Sequence, residues 1–95
     1  MQLDPDGLNF QAEFRSLAAS DLPEAVKIAR AFGALTGRVI ESARGQIELA
    51  HALGNREEKV KQQIKLETME HARNIFRMCH RRITGANPWD EPEPR

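Results

Sequence analysis

Apolar residues recur along this chain at helical rather than strand spacing, from Phe10 to Ile83. Phe10, Phe14, Leu17 and Ala18 stand at i, i+4, i+7 and i+8, one face of a short helix over about 8–19. A second run places Ala25, Ala29, Phe32, Val39, Ala43, Ile47 and Ala50 on one stripe, with Thr36 as a polar interruption. Leu22, Val26, Ile28, Leu35, Ile40 and Leu53 widen it, and Arg30, Arg38, Glu41, Arg44 and Glu48 take the opposite side. This predicts a helix over 22–53, a rod of roughly 48 Å at about 1.5 Å per residue. A third helix is predicted over 56–84, its apolar face formed by Val60, Ile64, Ala72, Ile75, Phe76, Met78, Cys79 and Ile83.

Boundary residues agree with that division. Asp4-Pro5-Asp6-Gly7 is a turn signature. Asp21 with Glu24 reads as a capping pair, with Pro23 in the first turn, where its missing N–H costs nothing. Gly54 suits the left-handed position that ends a helix, and Asn55 with Glu58 caps the next one. So short a junction folds the two long helices back on each other. His80, Arg81 and Arg82 complement the negative end of the third helix, and Gly85 closes it. Residues 86–95 hold three prolines and read as an extended tail to a single helical domain over 1–85.

Gly33 and Gly37 leave two readings of the second helix. It breaks near Thr36-Gly37, or Ala25, Ala29, Gly33 and Gly37 form a small-residue ridge along which another helix approaches. No capping box follows Gly37, which favours the continuous helix. The expected fold is therefore all-α: a short N-terminal helix, then a long antiparallel helical hairpin. Two rods with one short helix as cover cannot bury such wide stripes. Pairing into a four-helix-bundle-like dimer or higher oligomer is the simplest remedy.

Composition narrows the class. At 95 residues the chain is one small domain, of a size often stabilised by oligomerising. No apolar run is long enough to span a bilayer, and the acidic start lacks a leader's apolar segment. With a single cysteine, Cys79, expected as a buried inert thiol, the expectation is a soluble cytoplasmic protein. The formal charge is zero but polarised. Residues 1–24 are acidic, residues 59–82 basic, and the tail acidic again at Asp90, Glu91 and Glu93. That pattern favours association of unlike ends and argues against a general nucleic-acid binder.

Three clusters offer chemistry. Glu67 and Glu70-His71, with Glu41 brought alongside by the hairpin, would supply carboxylates and imidazole to a metal once doubled by a two-fold axis. Asn55-Arg56-Glu57-Glu58 with Glu70-His71-Ala72 resembles the encapsulated ferritin-like proteins, also helical hairpins; the resemblance implies iron oxidation at a subunit interface. It covers about 30 residues, and Thr68 stands where that family's Glu-x-x-His glutamate falls. The plainer reading of Glu67 and His71 is an i,i+4 pair at the edge of the core.

Arg73-Asn74 followed by His80 resembles the Arg-x4–6-His motif of helical HEPN-type ribonucleases, which implies a symmetric dimer acting on an RNA phosphodiester. Without catalysis, Arg73, Arg77 and Arg81 at i+4 steps, joined by Arg82, form an anion-binding stripe. Arg44-Gly45-Gln46-Ile47-Glu48 matches the Arg-Gly-x-x-Glu string of the succinate dehydrogenase flavinylation factors, without the rest of that family's pattern. Trp89, between prolines and acids, docks back onto the protein's basic helix end, docks within its own oligomer, or anchors a partner. No Ser/His/Asp set, phosphate loop or zinc-type spacing occurs, so no catalytic residue and no cofactor are expected, iron being the alternative. The leading expectation is a non-enzymatic interaction protein that binds itself and another protein.

Overall fold

The computed structural model describes residues 11–89, so the predicted turn at 4–7, the first turn of the short helix and the acidic tail tip lie outside the described residues. Three helices follow in order: α1 (Gln11–Ala18), α2 (Glu24–Ala52) and α3 (Arg56–Thr84). α2 runs unbroken through Gly33 and Gly37, and it pairs with α3 as an antiparallel hairpin, with α1 against α2.

The hairpin corner follows from its sequence. Leu53 ends α2, and Gly54 adopts φ +70°, a conformation that a Cβ disfavours. The Gly54 and Asn55 amides donate back to the His51 and Ala50 carbonyls at 3.1 and 2.8 Å, closing the helix end in a Schellman arrangement. Asn55 Oδ1 then accepts from the Glu58 amide at 3.1 Å and opens α3. Gly85 closes α3 at φ +78°.

The start of α2 differs from expectation. Its cap is Pro23 in extended conformation, with no side-chain bond, and Asp21 does not cap it. Proline biases the residue before it, Leu22, away from helical backbone, so the helix begins one residue after Pro23. The Pro23 carbonyl accepts from the Val26 and Lys27 amides instead. Lys27 Nζ reaches back to the Ala18 carbonyl at 2.7 Å, satisfying the end of α1, and Arg38 pairs with Glu13 at 2.6 Å. These two contacts hold the short helix against the long one.

The seam between α2 and α3 is narrow. α2 contributes small or compact residues to it: Ala29, Thr36, Ile40, Ala43 and Ala50 are buried. α3 answers with long ones. Its buried residues are Gln62 and Arg77, and Leu66, Met69, Arg73, Phe76 and His80 are half-buried at the same helical phase. The apolar face expected for α3 mostly points elsewhere: Val60, Ile64, Ile75, Met78 and Ile83 are exposed, and so is Cys79, expected to be buried. The cause is steric. The small residues of α2 leave room for the stems of arginine, glutamine and methionine, which cover apolar surface. Arg77 donates to Asn74 and Gln62 Nε2 to Glu58, while the buried Gln62 Oε1 has no partner among the described residues. Among the described residues no large side chain is fully buried, and the hairpin is a single layer about 15 Å thick across its Cα atoms.

Candidate functional site

Two sides of this layer differ in chemistry. Residues two apart on a helix point about 200° apart, so neighbours at i and i+2 face opposite sides.

On one side Trp89 folds back across α2. Its indole rests directly on Gly33, where an added Cβ would lie 2.8 Å from Cδ1 and 2.9 Å from Cε2. Nε1 donates to the Ala29 carbonyl at 2.7 Å. Phe32 and Phe76 stack on each other with centroids 4.6 Å apart, and Trp89 stacks on Phe76 at 5.4 Å. Arg73 places its guanidinium 4.4 Å from the centroid of the indole ring while donating to the Gly33 carbonyl and to Thr36 Oγ1, both at 2.8 Å. Arg77, 7% exposed, lies 5.4 Å from the indole and donates to Asn74 Oδ1 at 2.8 Å. The small-residue ridge thus receives a tryptophan and an arginine rather than a third helix. The tail between is tied by Ala86, whose carbonyl lies 2.8 Å from His80 Nδ1 and whose amide donates to Thr84 Oγ1.

The other side carries Ile28, Leu35, Val39 and Leu49 from α2 and Leu53 at its C-cap, with Leu35 and Val39 two residues from Gly33 and Gly37. α3 adds Ile75, Cys79 and Ile83 by the same displacement from Arg73, Arg77 and Arg81. Ile28 is 60% exposed, Leu53 72% and Ile83 85%. Ser42 and Gln46 interrupt this stripe midway. Within α2 its positions 28, 35, 42 and 49 repeat every seven residues, the spacing that keeps one seam facing a partner helix.

The structure gathers the proposed metal residues only in part. Arg44 joins Glu41 at 3.2 Å and Glu70 at 3.5 Å, so a side-chain cation already sits between those two carboxylates. Glu67 and His71 are exposed on the outer part of α3. Among the described residues no three His, Cys, Asp or Glu side chains converge as a metal would require. Of the arginine stripe, Arg73 and Arg77 meet Trp89, whereas Arg81 and Arg82 are exposed further along. In the Arg73–His80 pair, Arg73 holds α2 and His80 holds the tail. Periodicity alone does not reveal the slot. Its available signal was a helix-interior glycine in a chain with one tryptophan.

No family model matches this chain, and comparison with curated proteins and with solved structures likewise yields no match. None of the described helices is long and apolar enough to cross a membrane.

Proposed function

We propose that the protein is a non-enzymatic interaction module of the cytoplasm that pairs with a second copy through the open apolar side of its hairpin. One observation carries this reading: among the described residues there is a seam but no fully buried large side chain, and large aliphatic side chains stand exposed beside it.

Magnitudes support the pairing. A face 47 Å long and about two helix diameters wide offers roughly 900 Å², close to what each partner contributes to a standard-size interface. Ile28, Leu49, Leu53, Ile75 and Ile83 each gain about 1.5–3 kcal/mol on full burial. Both copies contribute these side chains, so their burial is of a size to offset an association cost on the order of 4–15 kcal/mol. The pairing invokes no metal, so a tenfold excess of ferrous or zinc ion is expected to leave mass and melting temperature unchanged.

The test is light scattering on the wild type and on Ile28→Glu/Ile75→Glu. The wild type gains mass with concentration, whereas the variant stays at one chain with unchanged helical circular dichroism. A wild type as monomeric as the variant over the same range refutes the reading.

A further inference from the structure

The Trp89 slot lies on the side of the hairpin away from the proposed dimer face, and it has the features of a peptide site occupied by its own tail. We propose that it is a docking site for a partner-protein segment in which a tryptophan is followed by carboxylates, and that residues 86–89 act as an exchangeable plug.

The seated indole shows what the slot selects. Gly33 admits a flat ring edge, the Ala29 carbonyl takes a ring N–H, and the Phe32–Phe76 pair gives a stacking wall. Arg73 and Arg77 set positive charge beside the ring, and Arg81 continues that charge one turn on. A tryptophan with acids after it fits this set, and the chain's own occupant has that form, with Asp90, Glu91 and Glu93 following Trp89. Exchange of the plug requires that an emptied slot keep its shape. The walls are tied to one another independently of the indole: Arg73 donates to the Gly33 carbonyl and Thr36 Oγ1, Thr36 donates to the Phe32 carbonyl, and Phe32 stacks on Phe76. The plug hangs on four residues from Gly85 to Pro88, the first three of them exposed. A tether that short holds its ligand at an effective concentration on the order of millimolar, so the tail acts as a built-in competitor that a partner must exceed.

The experiment uses the full chain carrying Trp89→Ala and a fluorescein-labelled peptide with the sequence of residues 85–95, followed by anisotropy. Control peptides replace the tryptophan by alanine or the acids by lysine. The Trp89→Ala chain is expected to bind the parent peptide and neither control, and the wild type to bind it at least tenfold more weakly. If Trp89→Ala loses its helical circular dichroism, Trp89→Phe serves instead, since its ring lacks the N–H for Ala29. No binding to a folded variant, or equal binding of all three peptides, overturns the proposal. So does a mixed dimer in which a wild-type tail fills the slot of the Trp89→Ala chain, because the occupant is then a second copy. Ile28→Glu/Ile75→Glu, run in parallel, separates this result from failure of the dimer: it keeps the slot and loses only the apolar side.

Discussion

Two glycines in the same helix make opposite predictions. An added methyl at Gly45 meets nothing within 4 Å, so Gly45→Ala is expected to gain about 1 kcal/mol from helix propensity alone. Gly33→Ala gains the same propensity but drives a Cβ into the indole of Trp89. Urea denaturation should therefore rank Gly45→Ala above wild type, with Gly33→Ala showing none of that gain. Trp89 is the one tryptophan, so its emission reports the same event, shifting to the red in Gly33→Ala and holding in Gly45→Ala. Arg73 is the second residue of this kind. Arg73→Lys keeps the charge but loses the planar fork that reaches Gly33, Thr36 and the indole together. A loss of about 1.5–3 kcal/mol is expected in the same denaturation.

At the scale of elements, what was legible in the sequence was local chemistry. The corner at Gly54-Asn55 and the closing Gly85 stand where their backbone needs place them, and Asn55→Ala should cost about 1 kcal/mol of thermal stability for the lost cap. Helix continuity through Gly33 and Gly37 was legible too, from the absence of a cap beyond them. The facing of α3 was not. Its sequence carries two stripes a half-turn apart, and counting apolar residues favours the one with Ile64, Ile75 and Met78. The seam takes the other, because α2 offers alanine, glycine and threonine there, and long polar stems fill that space better than branched aliphatics. The docking of Trp89 was equally invisible to periodicity, since it depends on a contact between residues sixty positions apart.

At the scale of the molecule, one displaced stripe changes the account of what the chain does. A hairpin with its aliphatic residues turned in would leave fewer of them for a partner to cover. This one has an arginine- and glutamine-bearing seam, a tryptophan closing one side and aliphatic residues open on the other. The candidate metal residues belong to neither side's chemistry, because Glu41 and Glu70 share Arg44. Cys79 is exposed on the open side and marks it chemically. The most direct measurement is its alkylation rate by a maleimide over a series of protein concentrations. Covering of that side by a second copy predicts a rate that falls several-fold between about 1 and 100 µM protein and recovers in Ile28→Glu/Ile75→Glu. A rate independent of concentration and identical in the variant would contradict it.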